Sequence, residues 1–434
     1  MTRLTRLFVC LTALAITGSQ ALTVQAQWSQ VNIGTTIELR TITFSSAMTG
    51  YIVADSGAVF KTTNGGMAWT RLAPTGVSVT LRAASFVNDN VGVVVGDNGT
   101  ILRTTNGGMT WAAQTPAQLA GAAYTGSLRG VSFVNEMTGW ISGELGAIQG
   151  TTNGGTTWTS QAGDRANTTR DVTGIQFRNA NLGYAIARGG FFYRTTNGGT
   201  TWLESRPYAA FGNPRTQNLF FTSDNTGFVV GSPQTAPSAF VSRTTTGDTA
   251  ASAWTIQATP LARVGNDDPR LMSVHFADAN NGVIASRRGF LLRTTNAGTT
   301  WTQETNPVTG GNDLNSIFVR PGGEAFAVGV GGVVLRRSSI TSVRWVSADE
   351  FGVRVSPNPV QSAFQLAYTL TAPEAVRAEM VNIFGQTVAT ADFGRQSAGT
   401  QSAQINLDEN LPRGVYFYRL MLGSTTVTGK IIRE

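Results

Sequence analysis

Residues 62–69 read TTNGGMAW, and nearly the same eight residues return as TTNGGMTW at 104–111, TTNGGTTW at 151–158 and 195–202, and TTNAGTTW at 294–301. Weaker copies end at Trp254 and Trp345, so successive tryptophans stand 42, 47, 44, 52, 47 and 44 residues apart. A period in the forties is the length of one four-stranded propeller blade. Glycine supplies 50 of the 434 residues and recurs at fixed places in each copy, which marks turns and not a disordered tract.

Working outward from the phrase, each copy opens with a short apolar strand ending in an aromatic, as in Arg82 to Phe86 and Arg129 to Phe133. A polar turn such as Asn88-Asp89-Asn90 follows, then a strand of small and β-branched residues, Val93 to Gly96, and a tight turn at Asp97-Asn98-Gly99. A third strand runs into TTNGG, and the tryptophan leads the fourth. This is an antiparallel meander. First strands ending near Phe44, Phe86, Phe133, Phe177, Phe221, Phe276 and Phe318 make seven blades. The last copy has Arg336-Arg337-Ser338-Ser339 where the turn should be, and Trp28-Ser29-Gln30 repeats the start of a fourth strand. The expectation is an all-β, seven-bladed β-propeller over residues 27–345, closed by the N-terminal strand so that no sheet edge is left open.

Within the phrase, Thr and Asn can bond nearby backbone, Gly supplies positive φ, and Trp fills the space between strands. Asn64 and Trp69, Asn106 and Trp111, Asn153 and Trp158, Asn197 and Trp202, and Asn296 and Trp301 are therefore read as structural. The turn resembles the Asp-box of bacterial neuraminidase repeats, S/T-x-D-x-G-x-x-W, with Asn in place of Asp. The longer repeat is similar to photosystem II stability and assembly factor-like propellers. In Asp-box families this turn lies away from the active centre, so the resemblance does not imply a sugar site.

Arg3 and Arg6, an apolar run from Leu7 to Ile16 and Val24-Gln25-Ala26 read as a secretory signal over residues 1–26. The run is too short for a bilayer span, and no transmembrane segment is expected in the mature chain. The one cysteine, Cys10, lies inside that signal, which excludes disulfides and thiolate chemistry afterwards. The net charge of +7 comes almost wholly from arginine, scattered without a basic run or aromatic stripe, so a nucleic-acid partner is not expected.

After a linker at 346–352 the periodicity stops. Residues 353–434 carry short alternating strands, at Phe364 to Leu370, Arg377 to Ile383, Gln404 to Leu407, Val415 to Leu420 and Val427 to Ile432, which predict a small C-terminal β-sandwich. Pro357-Asn358-Pro359, Asn382-Ile383-Phe384-Gly385-Gln386, Leu411-Pro412-Arg413-Gly414-Val415-Tyr416 and Lys430-Ile431-Ile432 resemble the type A C-terminal sorting domain of type IX secretion cargo. The resemblance implies handling by the type IX secretion machinery, arrival at the outer surface of a Gram-negative cell and removal of this domain there. Pro357, Asn358, Pro359, Gly385, Gly414 and Lys430 carry it. An ordinary carbohydrate-binding or adhesive sandwich is the alternative.

No catalytic constellation emerges. His275 is the single histidine, so neither a His-based triad nor a His-rich metal site has support, and no phosphate loop, HExxH or EF-hand occurs; no cofactor or metal is expected. The rival enzyme class is glycoside hydrolysis of the sialidase or glucanase type, which needs two placed carboxyl groups or a Tyr nucleophile. A binding or assembly protein fits better, with a surface protein or glycan as partner. Its candidate face carries Arg40, Arg82 and Arg129 before the inner strands, and Asp55, Asp97, Glu144, Arg188, Arg287 and Arg288 in the turns between second and third strands. Two long connections join it, one with Tyr208 and Phe211 and one over Ser232 to Ser242, because long loops on a rigid scaffold usually carry recognition.

Overall fold

Blades one to six begin from one local constraint: the aromatic that ends the first strand lies flat across a glycine of the second, whereas blade seven ends its first strand in Val319, opposite Ala325. Phe86 pairs with Gly92 across the two strands, and a Cβ on Gly92 would stand 2.3 Å from the Phe86 ring. Only glycine leaves room there. Asn88 shapes the turn between them, its Oδ1 accepting the N–H groups of Asn90 and Val91 at 2.9 and 2.8 Å.

The structure, a computed structural model, describes residues 28–161, 170–208, 212–233, 239–247, 253–261, 269–309, 311–338, 352–370, 372–382, 387–423 and 425–434. The chain divides into two compact units, Ala26–Thr341 and one containing Ser342–Glu434. The signal segment, the phrase at Trp345 and all of the expected linker except Gly352 fall outside the described residues.

The first unit contains seven four-stranded antiparallel sheets. Six are consecutive meanders. The seventh takes Leu314–Val319, Ala325–Gly329 and Val334–Arg337 and is completed by Trp28–Gln30, with Trp28 opposite Arg337. The first strands, Leu39–Phe44, Leu81–Phe86, Leu128–Phe133, Val172–Phe177, Arg215–Phe221, Leu271–Phe276 and Leu314–Val319, each pack on the next, and the last packs on the first. The ring is closed.

A closed ring leaves one edge of each inner strand without a strand partner, so its backbone groups need others. Side chains from the neighbouring blade supply them. Ser85, Ser132, Gln176 and His275 accept the N–H of Phe133, Phe177, Phe221 and Val319 at 3.1, 2.9, 2.7 and 3.2 Å. Asn218 and Ser316 do the same for Val274 and Ile42, and the Thr41 hydroxyl donates to the Arg82 carbonyl. Every seam is stitched.

The repeated phrase is a hydrogen-bonded knot. In blade six the Thr294 hydroxyl accepts the Gly298 N–H at 2.9 Å and donates to Asn296 Oδ1 at 3.0 Å, while Asn296 Oδ1 accepts the Thr300 N–H at 3.0 Å. The same bonds recur around Thr62, Thr104, Thr151 and Thr195. Gly298 holds φ +74°, and a Cβ there would meet Phe228 of the neighbouring blade at 2.4 Å. The tryptophan then stands edge-on against the aromatic of its own first strand: Trp301 on Phe276 at 5.9 Å and 83°, Trp158 on Phe133 at 6.0 Å and 89°. Such a pair adds about 1 kcal/mol beyond its buried area.

The second unit is a sandwich. Arg354–Ser356, Ala363–Leu370 and Gly399–Asn406 form one sheet; Thr387–Gln396, Glu374–Val381, Gly414–Leu422 and Thr425–Arg433 form the other in that order. Phe364, Leu366, Tyr368 and Ile405 of the first meet Met380, Tyr418, Leu420 and Ile431 of the second in a single core. Sequence does not mark the strand Thr387–Gln396 because half of its residues are exposed, none is fully buried and its alternation is polar.

Candidate functional site

The end of the propeller that carries the candidate face is built by a bulge. In every blade the register slips near the start of the inner strand, after its first residue or, in blade five, its second, so Arg40, Arg82, Arg129, Thr173, Gln217, Met272 and Asn315 are each left without a cross-strand partner. A bulge re-aims its side chain. All seven point into the central channel, a cavity of about 500 Å³. The backbone N–H of Asp55, Asp97, Glu144, Arg188 and Arg287 each reaches the carbonyl just before an inner strand, which places those turns on the same end. The TTNGG turns bond instead to the turns at the far end, as Gly65 does to Met48 and Gly154 to Met137.

In blades one to three the bulged arginines meet the turn acids of their own blade. Arg40 Nε and NH2 donate to the two Asp55 oxygens at 2.7 and 3.0 Å, Arg82 grips Asp97 in the same two-bond manner, and Arg129 bonds Glu144. Burial pushes the Asp55 and Asp97 carboxyls up, but the arginine hydrogen bond and charge more than reverse it, and both sit below their usual range. Glu144 is lowered likewise, helped by the Ser127 N–H. These charges are mutually satisfied.

Blades four to six are different. Arg188 replaces the turn acid and lies 3.3 Å from Asp171, with its side chain 58% exposed. Around it gather Arg170, Arg206, Arg215 and Arg270, in two adjoining clefts of about 440 and 390 Å³ that share Arg188, Gly189 and Asn213. Phe191 floors the first, with the Arg170 guanidinium 3.8 Å and that of Arg206 5.2 Å from its centroid. Arg206 spends its donors on the carbonyls of Gly189 and Gly212, both at 2.8 Å. Among the described residues Asp171 is the one acidic residue lining either cleft. Sequence reading missed Arg170, Arg206 and Arg215 because they share no repeat position.

Three expectations for this face need revision or stand apart. Tyr208 is 1% exposed and packs between Phe240 and Trp254 at 5.6 and 5.7 Å, so it belongs to the core of blade five and not to the rim; the long connection folds back over its own blade. Phe211 and residues 234–238 of the Ser232–Ser242 connection lie outside the described residues. Arg287 is held by Asp313 at 2.8 Å, and Asp313 also accepts the Arg288 N–H. His275 lines the channel between Phe220 and Phe318, both at 4.4 Å, and burial lowers its pKa to about 3. Among the described residues no group of acidic, His or Cys side chains is placed to hold a metal.

In the sandwich, distant motif pieces converge. Asn358 donates to the Lys430 carbonyl at 3.1 Å and accepts the Ile432 N–H at 2.9 Å. Arg433 reaches back to the carbonyls of Glu409 and Leu411, and the Tyr416 hydroxyl donates to Pro412 at 2.7 Å. Pro357 and Pro359 flank Asn358, Gly414 follows this loop with φ +153°, and Gly385 lies outside the described residues.

A family model for photosynthesis system II assembly factor YCF48 matches residues 20–338. The chain belongs to the YCF48 family. Its propeller is similar to the solved YCF48 from Cyanidioschyzon merolae, at 21% identity and a TM-score of 0.59 over 72% of this chain and 99% of that one. A YCF48 structure described as bound to D1 peptide shares 20% identity and a TM-score of 0.57 over 72% and 97%. The GH74 enzyme of Niastella koreensis, at 15% identity, TM-score 0.52 and 91% and 74% coverage, shares the fold alone. No curated protein matches the sequence. Residues 354–434 match the secretion system C-terminal sorting domain. This YCF48-type propeller is therefore cargo of the type IX system, secreted or displayed at the surface of a Gram-negative cell. Among the described residues no helix is long and apolar enough to cross a membrane.

Proposed function

We propose that this secreted propeller is a non-catalytic binding protein whose basic clefts over blades four to six hold an acidic, extended polypeptide segment of a cell-surface partner. The observation that carries the reading is charge balance. Among the described residues Arg170, Arg188, Arg206 and Arg215 line the two clefts against one aspartate, Asp171, whereas each bulged arginine of blades one to three has its own acid. A single exposed pair is worth little, so affinity comes from several guanidiniums acting together and from the flat Phe191 surface beneath them. A propeller of the same family described as bound to a peptide supports a polypeptide segment as the occupant. The hydrolase alternative needs two available carboxyl groups, and Asp55, Asp97, Glu144 and Asp171 are each engaged by arginine.

Titration of the purified protein with Asp/Glu-rich and uncharged peptides of equal length tests this. Binding of the acidic peptide should weaken as salt rises. Alanine at Arg170, Arg206 and Arg215 should weaken it about tenfold or more, the range for charged anchors. Alanine at Asn64, Asn106 and Asn153, on the far end, should leave it intact. Equal binding of both peptides, or loss only in the Asn variant, would sink the proposal.

A further inference from the structure

A sorting domain has to be read by a protein, and the sandwich presents one surface suited to that. Among its described residues the large apolar side chains that remain exposed are Val415, Phe417 and Ile432, at 39, 41 and 37%. They are neighbours: Val415 stands directly opposite Ile432, and Phe417 opposite Lys430, on the last two strands. Opposed residues of an antiparallel pair share a face, so the three apolar side chains and Lys430 form one strip. Tyr416, Tyr418, Leu420 and Ile431 of these strands point the opposite way into the core.

The strip adjoins the place where the motif pieces meet. Asn358 bridges the backbones of Lys430 and Ile432, and Arg433 and Tyr416 pin the 409–412 loop beside them. Those contacts hold the strip rigid. Two basic groups border it: Arg413 on the loop and Lys430 on the last strand are exposed, and neither makes an ion pair among the described residues. Thr425–Arg433 is moreover the edge strand of its sheet, touched on its outer side by Val360 near Arg433.

We propose that the Val415–Phe417–Ile432 strip is the surface by which the type IX export machinery recognises this domain, through an apolar patch of the machinery rimmed with acidic groups. It rests on the sorting-domain match and not on the peptide reading of the propeller. An aromatic anchor within an apolar centre and a charged rim is the usual anatomy of a protein interface. The charge of the rim selects the partner, and the rigid strip lowers the ordering cost of binding.

The test uses the full chain in a secreting cell, following full-length protein in the periplasm and mature protein outside. Phe417→Ser with Ile432→Ser should leave melting and monomer state unchanged, yet lower the exported fraction about tenfold, the loss expected on removing an interface anchor. Arg413→Glu with Lys430→Glu alters only exposed side chains and should lower export comparably. Gln365→Ala with Gln404→Ala, on the exposed face of the other sheet, is the control and should export normally. Normal export of either strip variant overturns the proposal, as does an equal loss in the glutamine control. If the strip variants merely convert a dimer to a monomer and export persists, the occupant is a second copy of the chain and the proposal is wrong.

Discussion

The indole Nε1 of Trp28 donates to Glu304 Oε2 at 2.8 Å, tying the first described residue of the propeller to the outer strand of blade six. Glu304 also lies 3.3 Å from Arg337, whose side chain is 3% exposed and directly opposes Trp28 in the closing sheet. One carboxylate thus serves both strands that close the ring. Burial lowers the Arg337 pKa and Glu304 counters it.

Glu304→Ala strands a buried guanidinium and frees the indole. Loss of one partner from a buried ion pair costs about 3–5 kcal/mol. Chemical denaturation of the purified propeller should show it, with the Trp28 strand exchanging its amide hydrogens first. Ser29→Ala, with an exposed side chain and only a 3.3 Å bond to the Arg336 carbonyl, should be nearly neutral.

The repeated phrase separates two contributions. Trp301→Ala removes a 5% exposed ring from between Phe276 and Phe228 and should cost roughly 3–5 kcal/mol, as large core truncations do. Thr294→Val keeps the volume but leaves the Gly298 N–H unpaired in the interior, a loss of about 1–3 kcal/mol. Denaturant midpoints measure both. A Thr294→Val propeller as stable as the parent would show that the knot contributes no stability.

His275 makes the blade six to seven seam sensitive to acid. Its folded pKa of about 3 lies below the ordinary value, so the stability it confers is complete above about pH 6.5 and is lost as pH falls toward 3. The expected slope is about 1 kcal/mol per pH unit in that window. His275→Gln should remove it, because Gln176 performs the same backbone bond two blades away. Thermal melts between pH 7 and 4.5 compare the two proteins.

Asp97 supplies a second acid-sensitive contact. Asp97 is depressed in the folded state, so its contribution holds above about pH 3.9 and disappears as pH falls through the folded value. Arg82→Ala should raise the Asp97 pKa, since the burial that opposes ionisation then acts with its main counterweight gone. Carboxyl chemical shifts followed by NMR should place the Asp97 midpoint higher than in the parent.

Blade number, the phrase turns and the N-terminal closing strand were all legible in the residues, because each depends on short local patterns repeated at a fixed spacing. TTNGG makes its knot from bonds within a few residues, and the tryptophan meets an aromatic of its own blade. The sorting motifs were legible for the same reason, although only folding brings Asn358, Arg433 and Tyr416 together. Sequence equivalence also placed Arg40, Arg82 and Arg129 on one rim with Asp55, Asp97 and Glu144. What it did not determine was how their charges are used: the bulge turns each arginine onto the acid of its own blade and satisfies it there. The clefts of blades four to six draw Arg170, Arg188, Arg206 and Arg215 from unrelated repeat positions, and Tyr208 is buried by a connection that folds back on its blade. Local pattern decides what each blade is. The closing of the ring decides which side chains of different blades meet, because that depends on curvature summed over the whole propeller and on no single stretch of chain.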